Sequence, residues 1–460
     1  MKERRYSGVW WLPSAPDNKV SGTLTFSNQD GLCLAVAGPV NEVRRFAVEE
    51  RVPLILGITA KSQPVTLEGC LRGRFTSSSG GVARGEYLPD RAYVGAHFPA
   101  VEELHFEKAV IGYSQLPNWT RFSRWHSQFR LESAGDTKTG TVSWNVPRDL
   151  IANTRRGTIT LMPRVLGRFR PDEDAHVHRS LRIQIESRED LTFKTWYTHF
   201  LYPLNNMLTL ATCTPNSIVD LFVTSRMHPI PGLTASVSLP IQVLFQQTYG
   251  DTPRARKLLT SDMLFTLKDV EDDFSKVLDR WLTISEELAV VSDLFFSAQY
   301  WRDMYIESHF LNIVQAAESY HRRQIRRWEL REEEHQRRVE SILGSAPDSH
   351  KRWLTEKLQH SNDLGLRQRL RHLLDITGPI VLPLINNKQS FIHKVVETRN
   401  ALIHGETRPD RIVDLAELYW TTQAMSYIVQ ACFLQELGFP QDRLVEMFSR
   451  TRQYDFQKRA

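Results

Sequence analysis

The feature that most constrains the fold is an abrupt change of sequence texture near residue 260. Before this point, short runs of β-branched and aromatic residues alternate with clusters of Gly, Pro, Asn, Asp and Ser. After it, glycine becomes rare and apolar residues recur at spacings of three and four. Because strands and helices need different periods, the sequence predicts an α+β multidomain protein. A β-rich domain is expected over residues 1–260 and an all-α domain over residues 261–460.

The β-rich half is predicted to be a β-sandwich or barrel-like module with an attached helical segment. In Thr23–Phe26, threonine alternates with Leu24 and Phe26, which is the two-residue period of a half-buried strand. A helical pattern covers residues 190–211. The candidate strands are Gly8–Leu12, Gly22–Phe26, Leu32–Ala37, Pro53–Ile58, Val65–Leu71, Gly140–Trp144, Thr158–Met162, Leu181–Ile185 and part of Ser236–Phe245.

The second half is predicted to be a helical bundle, because it contains several long amphipathic periods. Glycine and proline end two of them, Gly405 with Pro409 and Gly438 with Pro440. The predicted helices are Asp269–Ala298, Met304–Arg338, Lys351–Ile376, Gln389–His404 and Arg411–Leu437.

Composition narrows the classes of protein. A net charge of +5 permits an anionic partner without requiring one. The four cysteines form no C-x-x-C pair, which favours reduced thiols over a zinc site or disulfides. With no secretory signal and no run long enough to span a bilayer, we expect a cytoplasmic protein without membrane contact. No P-loop, dinucleotide or metalloprotease motif is present, and no cofactor is expected.

Two histidines in the β-rich half are candidate metal ligands, although the residues around them do not favour a metal site. His176 and His178 would share a face on a strand, with Asp172 and Asp174 close in sequence. The flanking charged residues and proline favour a polar loop instead. We therefore expect no bound metal.

The predicted helix Gln389–His404 carries the candidate catalytic residues Arg399, Asn400 and His404. Ser390 can cap its start, and Ile392, Val395, Val396, Leu402 and Ile403 form the expected buried stripe. Asn400 and His404 are four residues apart and share a face, while Arg399 lies about 100° to one side of Asn400. All three side chains can therefore line one polar surface.

These residue types suit RNA cleavage without a metal. The ribose 2′-OH attacks the adjacent phosphate, and an imidazole can act as general acid or base near neutral pH. A guanidinium can bind two phosphate oxygens while their negative charge grows. The spacing alone is weak evidence, since Arg121/His126 and Arg367/His372 share it.

Two stretches resemble known families. Residues 398–405, TRNALIHG, resemble the R-[polar]-x(3–5)-H motif of HEPN ribonucleases, which are helical bundles. Near the start of the chain, GVWWLP at 8–13 and VSGTL at 20–24 resemble the N-terminal domain of ApeA-type antiphage proteins. Those proteins place a β-rich N-terminal region before a C-terminal HEPN domain, which is the order found here.

The resemblance implies an abortive-infection endoribonuclease that cleaves host RNA, with tRNA as the expected substrate, and leaves a 2′,3′-cyclic phosphate. It also implies a homodimer or higher homo-oligomer through the HEPN domain, with the β-rich half sensing a phage-derived trigger or gating the nuclease. His404 would be general acid or base, Arg399 the phosphate stabiliser and Asn400 a supporting residue. Glu318 would orient Arg399 through a bidentate pair; the alternative is a boundary glutamate in water.

Arginines after Glu318 are candidate RNA contacts: Arg322, Arg323, Arg326 and Arg327. Nearby glutamates allow another interpretation, a solvated helix held by salt bridges. A different class of function also stays open, in which the helical half binds RNA or dimerises without catalysis and the β-rich half binds a phage protein. A carbohydrate- or peptide-binding β-module would use Trp10 or Trp11, although a core role for at least one is favoured.

Overall fold

The structure is a computed structural model of the chain. It describes residues 1–38, 51–76, 84–121, 127–134, 137–144, 146–170, 174–226, 239–247, 257–301, 303–325, 328–359, 361–404 and 414–459. The chain forms two compact units, Met1–Leu282 and Thr283–Ala460.

The first unit is built mainly from antiparallel strands, as the sequence predicts. The strands described are β1 (Arg4–Trp11), β2 (Val20–Ser27), β3 (Gly31–Ala37), β4 (Arg51–Thr59), β5 (Pro64–Thr76), β6 (Arg84–Leu88), β7 (Arg91–Val94), β8 (His105–Tyr113), β9 (Ser127–Ala134), β10 (Thr137–Trp144), β11 (Leu150–Thr154), β12 (Gly157–Arg170), β13 (Asp174–Thr192), β14 (Ile218–Thr224) and β15 (Ile241–Phe245).

Six strands close into a barrel in the order β1-β2-β3-β6-β5-β4, with β4 pairing back onto β1. The first part of β5 also pairs with β7, and the sheet continues through β15, β14, β8, β13, β12 and β11. A separate hairpin joins β9 to β10. The predicted barrel-like module is thus confirmed, with an open extension that begins at β5.

The barrel interior is filled by large apolar side chains, and Trp10 is the largest of those that pack together there. It is fully buried and lies among Leu24, Leu34, Val65 and Tyr87. The neighbouring Trp11 is 6% exposed and contacts the His97 ring edge-on at 5.4 Å. Both tryptophans have core roles, which removes them as a platform for a carbohydrate or peptide.

Four α-helices begin in the part of the first unit that the structure describes: α1 (Leu116–Thr120), α2 (Phe193–Trp196), α3 (Tyr202–Thr212) and α4 (Phe274–Glu287). A π-helical turn at Tyr197–Leu201 joins α2 to α3. The backbone N–H of Leu264 donates to Ala211 O at 2.8 Å, and Trp281 Nε1 donates to Pro203 O at 2.7 Å. These contacts attach residues beyond the predicted boundary at 260 to the first unit, which extends to Leu282.

The second unit is all-helical, which confirms the predicted fold class. Its helices are α5 (Ala289–Tyr300), α6 (Ile306–Tyr320), α7 (Glu332–Ser345), α8 (Asp348–Leu358), α9 (Leu366–Val381), α10 (Lys388–His404), α11 (Leu415–Glu436), α12 (Gln441–Ser449) and α13 (Arg452–Arg459). Several are shorter than predicted. The helix predicted over Met304–Arg338 is interrupted, since a π-helical turn at His321–Ile325 follows α6 and α7 begins only at Glu332.

The structure corrects the predicted loop around His176 and His178, which lies within β13. The two histidines pair with Arg168 and Leu166 of β12. Pairing with the adjacent strand β12 of the same hairpin outweighs the local charge and proline content that favoured a loop. None of the four cysteines is in a disulfide. In the described part of the chain, no helix is both long and apolar enough to cross a membrane.

A glycine in β4 makes room for Trp10. A Cβ atom at Gly57 would lie 2.2 Å from Trp10 Cε3. We therefore expect Gly57→Ala to lower the free energy of unfolding of the first unit by about 1–3 kcal/mol, as overpacking does. Thermal unfolding followed by tryptophan fluorescence measures the change.

Gly344 in α7 is the matched control, because a Cβ there meets no described atom within 4 Å. Gly344→Ala is expected to stabilise its helix by about 0.5–1 kcal/mol. Unchanged unfolding of Gly57→Ala would show that the barrel core tolerates the extra methyl group and would contradict the packing described here.

Candidate active site on α10

Helix α10 begins and packs slightly differently from the sequence prediction. The side chain of Asn387, not Ser390, caps its start: Asn387 Oδ1 accepts a hydrogen bond from Ser390 N at 2.9 Å. Its buried residues are Phe391, Ile392, Val395, Val396, Thr398 and Ala401. Ile403, predicted to be buried, is 50% exposed, because the buried stripe ends at Ala401. The predicted stop at Gly405 and Pro409 lies outside the described residues.

The three candidate catalytic residues lie in the last turns of α10. Arg399 and Asn400 are partly exposed and His404, the final residue of the helix, is exposed. Arg399 Nη1 donates to Asn400 Oδ1 at 3.1 Å, so the amide holds one arm of the guanidinium. A solvent-accessible imidazole and a partly anchored guanidinium are thus presented at one helix end.

Glu318 of α6 contacts Arg399, but the predicted bidentate pair is not formed. Its Oε2 lies 3.9 Å from Arg399 Nη2, while its Oε1 lies 3.3 Å from Arg322 Nη2 and 4.0 Å from Arg369 Nε. The carboxylate is only 13% exposed. The orientation of the carboxylate explains the difference, since Oε1 faces Arg322 and Arg369 and only Oε2 is directed toward Arg399.

Arg369 of α9 is the buried member of this cluster. Its side chain is 3% exposed, and Nε donates to Leu364 O at 2.8 Å. Burial lowers the pKa of its guanidinium, and Arg322 lowers it further, while Glu318 and Asp363 oppose the shift. No prediction from the sequence gave Arg369 this role as a buried arginine beside Glu318. A signal was available, because Arg369 precedes the buried Leu373 and Thr377 by one and two helical turns on the apolar face of α9.

Two histidines continue the cluster inward. His321 is fully buried in the π-helical turn after α6, and its Nδ1 lies 3.4 Å from Arg369 Nη1. On its other side, His321 Nε2 lies 3.0 Å from His372 Nδ1 of α9, and the two rings stack at 5.2 Å. In the sequence, His372 is marked only by its spacing from Arg367, and that spacing does not indicate a contact with His321.

A second, exposed cluster surrounds the earlier turns of α10. Arg367 Nη2 lies 3.4 Å from His393 Nδ1 and 3.7 Å from Glu397 Oε1. His393 and Glu397 are also 3.9 Å apart, one helical turn from each other. Arg367 and His372, the pair that shares the Arg–His spacing, therefore belong to different environments: Arg367 is exposed, whereas His372 is partly buried against His321. The remaining pair cannot be compared, because His126 lies outside the described residues.

The arginines that the sequence predicts to contact RNA have different surroundings in the structure. Arg322 is 60% exposed and pairs with Glu318. Arg323 Nη1 donates to Glu287 O at 2.9 Å, the last residue of α4, which satisfies a carbonyl at a helix C-terminus. Arg326 and Arg327 lie outside the described residues. Among the described arginines of this run, Arg322 is thus the one that joins the candidate site.

The charges around Glu318 leave an excess of positive charge at the site. Among the described residues, three guanidinium groups contact this one carboxylate, and Asp363 also acts on Arg369, so positive charge exceeds negative charge in the cluster. Such a surface can receive a phosphate, and Arg399 is placed to contact it. No group of three or more His, Cys, Asp or Glu in the described ranges is arranged to hold a metal ion.

Comparison with known proteins assigns both halves of the chain. The family model of ApeA N-terminal domain 1 matches residues 5–281, and that of the Apea-like HEPN domain matches residues 311–443. The first match ends one residue before the end of the first compact unit, Leu282. The second contains Glu318, Arg369, Arg399 and His404. No curated protein and no solved structure matches the chain.

Proposed function

Because the chain belongs to the ApeA family, a defence-related family of HEPN nucleases, we propose that it is an antiphage endoribonuclease with its active site at the end of α10. Its substrate is host RNA, with tRNA as the expected class, and its cleavage aborts the infection. The β-rich half gates the nuclease or senses a phage-derived trigger. Cleavage is independent of metal ions.

One observation carries this proposal. Arg399, Asn400 and His404 share the accessible end of one helix, and Glu318 approaches Arg399 at 3.9 Å from a second helix. A catalytic arginine must be held in place before charge develops on the phosphate, and a buried carboxylate together with a neighbouring amide can hold it. An exposed histidine in the same turns supplies a group that can transfer protons near neutral pH.

The reaction then follows from the residues. His404 removes the proton from the ribose 2′-OH, and this oxygen forms a bond to the adjacent phosphorus. Arg399 stabilises the additional negative charge on the phosphate oxygens. The bond from phosphorus to the 5′-oxygen breaks, and that oxygen receives a proton. The products are a 2′,3′-cyclic phosphate and a 5′-hydroxyl.

A dimer would supply the second proton-transfer group. HEPN domains commonly bind RNA and dimerise. With two copies of His404 at a shared cleft, one imidazole can accept the proton from the 2′-OH while the other protonates the 5′-oxygen. We therefore propose that the active form is a homodimer through the helical half.

The chemistry predicts both the metal dependence and the products of cleavage. We expect purified protein to cleave RNA at an unchanged rate in excess EDTA, because every proposed step uses a side chain. Sequencing and end-labelling should find 2′,3′-cyclic phosphates and 5′-hydroxyls. A strict requirement for Mg²⁺, or 5′-phosphate products, would contradict the mechanism.

The same experiment distinguishes the proposed nuclease from the alternative function, that of a non-catalytic RNA-binding and dimerisation module. The positive charge around Glu318 also suits binding without chemistry. In that case, wild-type protein would bind RNA but release no fragments. Arg399→Ala would then weaken binding and change nothing else.

A further inference from the structure

Arg369, His321 and His372 take no part in the chemistry proposed above. They nevertheless form a continuous chain of contacts, from Arg369 to His321 and from His321 to His372. We propose that Arg369 is a positioning residue of the nuclease site, which holds Glu318 so that this carboxylate can hold Arg399, and that the His321–His372 pair holds Arg369. This inference rests on the proposed function. It assigns roles to three side chains that do not approach the substrate.

The first step is the burial of Arg369. A guanidinium has only donors, cannot lose its charge in a protein and is costly to bury without acceptors. At 3% exposure, Arg369 meets Leu364 O at 2.8 Å, His321 Nδ1 at 3.4 Å and Glu318 Oε1 at 4.0 Å. Leu364 O and His321 are neutral, so the compensating charge comes from carboxylates: Glu318, which is in contact with Arg369, and Asp363. The Glu318 carboxylate and the buried arginine therefore constrain each other.

The second step is the direction of the hydrogen bonds. Because Arg369 can only donate, His321 Nδ1 must accept, and the ring proton of neutral His321 then lies on Nε2. That Nε2–H donates to His372 Nδ1 at 3.0 Å. The contacts thus run in one direction, from Arg369 to His321 to His372. They specify one tautomer for each ring, with the proton on Nε2, and they fix the plane of the Arg369 guanidinium.

Glu318 connects Arg369 to the catalytic residue Arg399. Arg322 and Arg369 both contact Oε1 of Glu318, which leaves Oε2 toward Arg399. Arg322 is 60% exposed, so its flexible side chain is a weak restraint, whereas Arg369 is locked by burial. Without Arg369, the carboxylate could rotate toward Arg322 and solvent. Arg399 would then lose its orientation while its charge remained.

Because Arg399 would keep its charge and lose its orientation, we expect a loss of turnover rather than of RNA affinity. A displacement of about 1 Å in a catalytic group can reduce a rate about 100-fold. We expect Arg369→Met to lower kcat roughly 10- to 100-fold while KM changes little. Glu318→Gln should have a similar effect. The double variant should be no worse than the poorer single variant, because Arg369 acts through Glu318.

Thr377→Val is the matched control on the same buried face of α9. Thr377 is fully buried, and its hydroxyl bonds only to Leu373 O within its own helix among the contacts described. This variant should perturb α9 and leave kcat unchanged. Equal losses of kcat in Thr377→Val and Arg369→Met, additive effects of Arg369→Met and Glu318→Gln, or a change confined to KM would each overturn the proposal.

A second readout does not depend on catalysis. Nitrogen chemical shifts of the full-length protein, labelled at histidine and assigned with His321→Gln and His372→Gln, should show both rings as the Nε2–H tautomer. A proton on Nδ1 of His321 would overturn the proposed line of contacts. If the wild type proves unable to cleave RNA, the proposed function fails by itself. The Arg369–Glu318 coupling is then tested by these shifts and by the same variant cycle measured on RNA affinity, where additivity would overturn it.

Discussion

Replacing His404 by alanine is expected to reduce the rate of RNA cleavage by about 10²–10⁴-fold, the usual contribution of a general acid or base. His404 is exposed at the end of α10, so the substitution removes no buried contact and the protein should remain folded. Cleavage of a labelled tRNA measures the rate, and protection of cells from phage should be lost in parallel.

His350 offers a matched control for this variant. It is an exposed histidine of α8 in the same unit, so His350→Ala changes the same chemistry at a site with no proposed role. Both variants should unfold at the wild-type temperature and keep the wild-type mass in solution. If His404→Ala cleaves RNA as fast as His350→Ala, the active site has been placed on the wrong residue.

Replacing Glu318 by alanine is expected to produce the largest loss of stability. The variant removes the carboxylate that contacts Arg369, which is 3% exposed, and leaves Asp363 to offset its charge. Breaking a buried ion pair by removing one partner costs about 3–5 kcal/mol, and we expect the lower end, about 3 kcal/mol. The reason is that Arg369 keeps its hydrogen bond to Leu364 O at 2.8 Å. Urea unfolding followed by circular dichroism measures the change.

Glu397 is the matched control for Glu318. It lies in the same unit and contacts Arg367 at 3.7 Å and His393 at 3.9 Å, but both partners are exposed. For such pairs the contribution is about 0–1 kcal/mol, so Glu397→Ala should unfold almost as the wild type does. Equal destabilisation by the two variants would mean that Arg369 does not need the Glu318 carboxylate.

Much of the architecture could be predicted from local pattern. The alternation of Thr23–Phe26 is found in β2, and the helix predicted over Gln389–His404 is found as α10 with one more residue at its start. These features depend on periods of two and of three to four residues, which a short window contains. The resemblance to ApeA-type and HEPN proteins is likewise confirmed by the matches to each half.

Features that depend on distant residues could not be predicted in this way. The closure of β4 onto β1 depends on partners that no local period specifies. The strand that contains His176 and His178 pairs with its hairpin neighbour β12, although the charged, proline-containing residues around it favour a loop. The interruption after α6 is similar, since the amphipathic pattern of Met304–Arg338 continues through a turn that buries His321. Local propensity is a weak prior wherever tertiary contacts compete with it.

In the candidate site, likewise, some features follow from local sequence spacing and others depend on tertiary contacts. The position of Arg399, Asn400 and His404 at the end of one helix follows from their spacing, because the helical repeat relates neighbours along the chain. The contacts of Glu318 of α6 with three arginines, and the burial of Arg369 of α9, depend on how the helices pack. The physical reason is that charge compensation in a protein interior depends on which helices pack together, and side chains from three helices meet there without any common spacing in sequence.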